Sequence, residues 1–471
     1  MNDKKGTPLQ YFEEISAIPR ASGNEGAIAD YLEGFAARHG LFCLRDGANN
    51  LLLRKDATKG REEEDTVLLQ AHTDMVCERV EGSSHDFATD GLHLVREGDL
   101  LFADGTTLGA DDGFGVAMML AILADKELSH PTLECLFTSG EEVGLCGARV
   151  FDYKSITAKR MINLDSAEED TVIVGCCGGS RTSLFLPLQK EGVSGEGITV
   201  KISGLCGGHS GEDIHRGRAN ALLLMRDLLA ELRETVSFRF AELVGGGKDN
   251  AIPRECTAHI AVSDPTRAMT CLQKIADKMR HMPLVPEDAG LCIEIVGAPY
   301  EVLWGEADTD RILEILSVES GVLEWRASGD IPQTSRNTAS VKEMGDRVRV
   351  VFSTRSPSKE TLAKSDADLA ALAERVGAQI EPGAAYPGWE SDEHSSFVAA
   401  WRNAYRDVTG GELKVSVIHA GLECGVICDA VCGLEAIAVG CNIHDLHSPR
   451  ERMELDSFDR IFATLCRFLA Q

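Results

Sequence analysis

The chain has 471 residues, 44% of them hydrophobic and 26% charged, an ordinary globular composition with ample material for a large interior. It exceeds the roughly 250–300 residues at which single cores stop growing, so two domains are expected. A formal net charge of −28 repels phosphate backbones and anionic lipid head groups, which excludes nucleic acid and membrane surfaces as partners.

From the N-terminus, the opening MNDKKGTPLQYFEEIS lacks the apolar stretch of a secretory signal. Residues 8–40 predict an amphipathic helix from Pro8 to Ile18, a turn at Pro19 to Asn24, and a second helix through Tyr31 and Phe35. Short apolar runs follow at Asn50–Arg54, Thr66–Gln70, Leu133–Thr138 and Met161–Leu164, alternating with helical patterns such as Asp112–Asp125. Strands alternating with helices predict an α/β fold with a mostly parallel sheet flanked by helices. Near residue 182 the texture changes. Strand ITVKISG (198–204), a helix from Arg218 to Glu234, strands at 236–244 and 256–262, a helix from Pro265 and strand LCIEIVG predict an inserted α+β lid. A comparable strand–helix unit recurs at VRVVFSTRS (348–356) and Lys359–Arg375, and the Pro/Gly-rich EPGAAYPGW (381–389) is expected as the linker back. The first texture then resumes, with a helix at Ser395–Val408, strands at Leu413–Ile418 and 434–440, and a closing helix from Leu455. The expected organisation is a catalytic domain in two pieces, 1–181 and 390–471, interrupted by a lid at 182–389.

No run approaches the ~18–20 apolar residues of a membrane span. Fifteen cysteines spread through so long a chain point to reduced thiols and a cytoplasmic location. Cys424, Cys428 and Cys432 fall at i, i+4 and i+8, one face of a helix. Three ligands on a straight stripe do not converge on a metal, so inward packing of small apolar side chains is expected.

Candidate site residues cluster in loops that follow predicted strands: His72 and Asp74 after TVLLQA, Glu141-Glu142 after LECLFTSG, Asp165 after MINL, and His444 and His447 after IAVG. Asp111, in GADDGFG, lies just before a helix, where it or Asp112 could also serve as a cap. Ligands in open α/β sheets sit beyond the carboxyl ends of the strands, so polar residues at four such ends carry more weight together than singly. A metal-bound histidine needs its second N–H held by a carboxylate, a part Asp74 can play. The glycines flanking Glu141-Glu142 predict a turn on which one carboxylate binds metal while its neighbour acts as a base.

AHTDMV, TLGADDGFGVA, FTSGEEVGLCGA, INLDS, HAGLECG and HSPRERM, in this order, resemble the motifs of the aminoacyl-histidine dipeptidases, also called cytosol non-specific dipeptidases or peptidase D, within the group that holds carboxypeptidase G, aminoacylase and tripeptidase T. The similarity runs from FEEISAIPRASGNE at 12–25 to HSPRERM at 447–453. The resemblance implies a zinc-peptidase-like fold and two divalent metal ions, zinc foremost with manganese or cobalt as substitutes. His72 and Asp165 would bind one ion, Glu142 and His447 the other, and Asp111 both. His447 is preferred to His444 because it precedes Ser-Pro. Asp74 would orient His72, and Glu141 would be the general base for a water shared by the ions. His209 in GLCGGHSG resembles the lid histidine that donates to the tetrahedral oxygen. Arg355 in FSTRSP resembles the arginine that clamps the substrate carboxylate, and Asn250 in GGKDNAIP is a third candidate for substrate binding. Asp112, where relatives often carry Asn, departs from the pattern and is not expected as a ligand. The implied activity is hydrolysis of unblocked dipeptides, Xaa-His included. The alternatives are an N-acyl amino acid hydrolase on the same metal core and a non-catalytic binding protein of the same fold. A small peptide is the expected partner, and a homodimer stays open.

Overall fold

The computed structural model describes residues 6–471. They divide into two units. One comprises the chain up to Cys176 with Gly388–Val417 and Leu422–Gln471, and the other comprises Cys177–Pro387 with the short return Ile418–Gly421.

The first unit is α/β, built on a nine-stranded sheet. Its middle strands, Leu133–Thr138, Val67–His72, Arg160–Ser166 and Glu435–Gly440, are neighbours in that order and pair in parallel. The pairing turns antiparallel toward both edges, at Phe42–Arg45 with Leu51–Lys55 and at Thr171–Cys176 with Trp389–Glu390. Every residue of Val67–His72 and Leu133–Thr138 is buried, as expected of parallel strands covered on both faces, and this is why they read as continuous apolar runs. Helices Pro8–Ser16, Gly26–His39, Ala110–Ala124, Ser396–Thr409 and Leu455–Leu469 supply the rest of the core, with Phe12, Phe35, Phe114, Trp401 and Phe458 all buried. Two of these helices start on side-chain caps, Thr7 accepting from Gln10 N and Ser395 from Val398 N.

Two features of this unit place the site. A four-stranded sheet joins Ile443–His444 and Arg452–Glu454, which flank the His447 loop, to Leu100–Ala103 and Leu94–Glu97. The second is the start of Ala110–Ala124, where Asp111 (φ −78°, ψ 110°) and Asp112 (φ −107°, ψ 37°) depart from helical geometry, so that the regular helix begins after the acidic pair.

The second unit is α+β. Its nine-stranded sheet is antiparallel, in the order Cys292–Tyr300, Gly195–Ser203, Cys256–Val262, Phe238–Gly245, Pro332–Met344, Arg347–Ser356, Gly178–Pro187, Gln379–Tyr386, with Gly321–Trp325 beside Pro332–Met344. Helices Ala221–Arg233, Pro265–Arg280, Glu306–Leu316 and Lys359–Val376 pack their apolar faces on it, with Leu222, Leu229, Phe240 and Trp304 buried.

Two expectations change. Most of EPGAAYPGW is not a linker but the edge strand Gln379–Tyr386. A register shift between Pro382 and Ala385 absorbs the Pro-Gly pair, and an edge tolerates the missing N–H. The cysteine stripe is also broken. Its helix ends at Ala430, so Cys424 and Cys428 lie on it while Cys432 lies beyond it and is exposed.

Helix Ala110–Ala124 approaches strand Arg160–Ser166 closely at one glycine. A Cβ on Gly115 would lie 2.8 Å from the Leu164 carbonyl oxygen, which is backbone and cannot swing away. Gly115→Ala is therefore expected to cost about 1–3 kcal/mol, read as a lower urea midpoint. An unchanged midpoint would show that the helix moves freely on the sheet.

Candidate metal centre

Each candidate in the first unit stands where a strand or loop ends. His72 closes Val67–His72, Asp165 is the next-to-last residue of strand Arg160–Ser166, Glu141 and Glu142 follow Leu133–Thr138, and Asp111 opens the helix after Gly109. His447 sits in the loop between Ile443–His444 and Arg452–Glu454 with φ +57°, a left-handed backbone uncommon outside glycine.

The side chains of His72, Asp111, Glu142, Asp165 and His447 converge. His72 Nε2 is 3.0 Å from Asp111 Oδ1 and 4.0 Å from Asp165 Oδ1. His447 Nε2 is 3.1 Å from Asp111 Oδ2 and 3.2 Å from Glu142 Oε1. The two oxygens of Asp111 thus address two histidines from opposite ends of the sequence. Two donors about 2.0–2.2 Å from one tetrahedral ion are separated by about 3.3 Å, so these spacings and this mix of imidazole and carboxylate suit divalent cations. His444, by contrast, points to Glu454, whose Oε1 lies 2.8 Å from its Nε2.

Asp74 works beneath this layer. His72 Nδ1 lies 3.1 Å from the Asp74 carbonyl oxygen and 3.4 Å from Oδ1. The Asp74 carboxylate also accepts from the N–H of Glu141 (3.0 Å) and of Glu142 (3.3 Å) and from Ser22 Oγ (2.7 Å). One buried group therefore turns His72 and fixes the Glu141-Glu142 turn. Burial pushes the Asp74 carboxyl upward, but the hydrogen bonds to His72, Ser22 and Glu141 N outweigh it and hold the pKa below the usual range. Asp112 Oδ2 accepts from His72 N (3.1 Å) and Oδ1 from Gly115 N (3.2 Å), so both its oxygens support backbone, although it lies close enough to His72 and Asp165 to share a cation with them.

Crowding of carboxylates sets the electrostatics. Burial drives Glu141 well above the ordinary carboxylate range. His72 pulls it down, while Asp165, Glu142 and Glu423 push it further up. Burial and Asp111 raise Asp165 in the same way. The direction of this shift increases the proton affinity of the Glu141 carboxylate, which a general base needs in order to accept a proton from water.

The remaining candidates lie in the second unit. His209 belongs to a short ribbon, Gly208–His209 against Ala251–Ile252, and the Asn250 carbonyl accepts from Ser210 N at 2.8 Å. His209 Nδ1 lies 3.2 Å from Glu212 N, which donates to it. Arg355 Nη2 lies 3.4 Å from His209 Nε2.

The pattern of peptidase family M20/M25/M40 matches residues 68–471. The chain is 33% identical over 466 residues to the cytosol non-specific dipeptidase of Escherichia coli K12, covering 98% of this chain and 96% of the relative. The crystal structure of aminoacylhistidine dipeptidase from Vibrio alginolyticus superposes with a TM-score of 0.82 at 32% identity, covering 97% and 96% of the two chains. This chain belongs to the M20/M25/M40 family. It is a peptidase, a hydrolase acting on peptide bonds. A tripeptidase from Staphylococcus aureus, at 16% identity and a TM-score of 0.57 over 98% of this chain, shares the fold.

Residues that sequence reading passed over hold the M20 centre in shape. Buried Arg20 donates from Nη1 to the carbonyls of Thr73 (3.2 Å) and Asp74 (3.1 Å) and from Nη2 to that of Gly109, tying the His72 loop to the Asp111 loop. Buried Glu451 accepts from the N–H of Leu108 (2.9 Å), Gly109 (3.0 Å), Ala110 (2.8 Å) and Asp111 (3.4 Å), tying that loop to the His447 segment. Glu423, raised to about 7 by burial, accepts from Gln70 Nε2 (2.5 Å) and Thr138 Oγ1 (2.6 Å) under the strand ends. Arg20 and Glu451 sit inside AIPRASGNE and HSPRERM, so their motifs were visible while their partners were not. Glu451→Ala releases the Asp111 loop and is expected to weaken metal affinity about 10–100-fold, measured by competition with a chelator. Wild-type affinity would show that the loop holds itself.

Proposed function

We propose that this peptidase is a metal-dependent dipeptidase that cleaves unblocked dipeptides of broad sequence, Xaa-His among them, with Glu141 as general base. The carrying observation is the divided Asp111 carboxylate, with one oxygen 3.0 Å from His72 and the other 3.1 Å from His447. On this reading His72 and Asp165 hold one divalent cation, Glu142 and His447 a second, and Asp111 serves both. Imidazole and carboxylate donors favour zinc, with manganese or cobalt as substitutes. When bound, such cations polarise the scissile carbonyl and lower the pKa of water.

The protein's own groups supply the rest. Glu141 takes a proton from the attacking water and returns it to the leaving amine, a transfer its raised pKa suits. Asp74, kept ionised, accepts from His72 Nδ1 and leaves Nε2 its lone pair. Arg355 pairs with the substrate's terminal carboxylate, His209 donates to the carbonyl oxygen as charge develops, and Asn250 is a further polar contact. The names of the E. coli and Vibrio relatives favour dipeptides over N-acyl amino acids. The E. coli relative's name supports a cytoplasmic location.

Glu141→Ala should lower turnover about 10²–10⁴-fold while metal content stays near normal, and near-normal turnover would refute the assignment. In the same assay the wild type should cleave Ala-His and Gly-Gly and spare N-acetyl amino acids. The reverse preference would move the chain to the acyl hydrolases.

Metal binding should also be linked to pH. In the metal-free chain, hydrogen bonds to Asp111 and then Glu142 raise His447 to about 11, and those to Asp111 and Asp74 lift His72 above its ordinary value despite the opposing effect of burial. Cations must displace these protons, so affinity rises with pH and falls on acidification. Titration of metal into stripped protein at pH 7 should release on the order of two protons per chain, and a pH-independent affinity would contradict the ligand set.

A further inference from the structure

We propose that Tyr386 is a positioning residue for Arg355, seated in a slot that two glycines keep open. The inference deepens, and rests on, the reading of Arg355 as the clamp for the substrate's terminal carboxylate.

The residues stand in one row across four strands of the second unit's sheet. Ser335 pairs with Arg355, Arg355 with Gly179, and Gly179 with Tyr386. Partners in such a row project from the same face of the sheet. Because the third member has no side chain, the fourth can lie across it and reach the second. The Tyr386 ring does this: a Cβ on Gly179 would lie 2.7 Å from its Cζ. The ring is confined on its other side by Gly421, whose Cβ would lie 2.5 Å from Cε2. A side chain at either glycine would occupy the space of the ring.

The ring delivers its hydroxyl to the guanidinium. Arg355 Nη1 donates to Tyr386 Oη at 2.8 Å. A guanidinium has only donors, so the phenol oxygen must be the acceptor. Arg355 is 7% exposed, and its Nε has no hydrogen-bond partner among the described residues. Glycine recurs there too, since a Cβ on Gly211 would lie 3.1 Å from that Nε. The buried cation is thus fixed at one corner by a neutral acceptor that leaves its charge intact. A carboxylate in place of Tyr386 would instead neutralise the fork and compete with an anionic ligand. Fixing the plane in advance lowers the entropy lost when a carboxylate binds bidentately.

The test compares Ala-His with its C-terminal amide on metal-loaded enzyme. Tyr386→Phe keeps the ring and removes the acceptor. It should raise KM for Ala-His about tenfold, leave kcat within about twofold, and leave the amide's kinetics unchanged. Gly421→Ala, which keeps the hydroxyl but displaces the ring, should shift KM in the same direction. Arg355→Ala is the control and should erase the preference for the free carboxylate. If that preference survives in Arg355→Ala, the clamp reading fails and the role of Tyr386 fails with it. If Arg355→Ala erases it while Tyr386→Phe keeps the wild-type KM for Ala-His, the clamp stands and Tyr386 is overturned alone. A rise in KM that is equal for the amide also overturns it, because it would report a structural defect.

Discussion

The Asp111 carboxylate lies between His72 and His447, residues brought in by segments that are far apart in the chain, and neither contact survives unless the loop at 108–111 holds still. Two buried charges immobilise that loop. Arg20 grips the carbonyl of Gly109, and Glu451 collects four successive N–H groups from Leu108 to Asp111. A buried charge without partners would be strongly destabilising, yet each of these is surrounded by backbone dipoles of the correct sign. The hydrogen bonds of an irregular loop, which regular secondary structure would otherwise supply, are met by side chains in the same way. The price is sequence freedom. A residue of different charge or length at either position would leave these backbone groups without their partner.

This division explains what the sequence made legible. Strands buried on both faces appear as apolar runs, and helices with one apolar face appear as 3.6-residue periodicity, so the elements that carry those signals could be placed to within a few residues, whereas Thr171–Cys176, Gly178–Pro187, Glu306–Leu316 and Pro332–Met344 went unread. His72, Glu141, Glu142, Asp165 and His447 attract attention because polar residues follow apolar strands, a local signal. Arg20, Glu451, Glu423 and Gln70 carry no local signal, since their roles are defined by partners as much as 353 residues away in sequence. Composition misled where it substitutes for geometry. EPGAAYPGW has the residues of a linker, but at a sheet edge a bulge accommodates them within a strand. Cys424, Cys428 and Cys432 have helical spacing, but the helix stops before the third.

The acidic crowd in the first unit also has a physical logic. Asp111, Asp112, Glu141, Glu142, Asp165 and Glu423 gather within reach of two histidines, and burial raises Glu141, Asp112 and Asp165 together. Without cations the centre is relieved by protons, held on the histidines and on the least favourably placed carboxyls. Cations in their place would relieve the repulsion and free the imidazoles. The same crowding gives Asp74 its value. Hydrogen bonds from His72, Ser22 and Glu141 N hold it below the ordinary carboxylate range, so it can orient a histidine without competing for the metal.

The two units differ in the sign of what they present. The first concentrates carboxylates, while the polar row of the second carries Arg355, Ser335 and Tyr386 and no carboxylate. His419, whose Nε2 lies 2.7 Å from Ser335 Oγ, is driven down to about 3 by burial and then by Arg355, so it adds no charge to that row. Arg355 is therefore the principal fixed positive charge there. On the proposed reading, that charge meets the terminal carboxylate of an unblocked dipeptide. A C-terminal amide lacks the carboxylate and loses the attraction, whatever its side chains, so recognition through the backbone's own charge makes little demand on sequence.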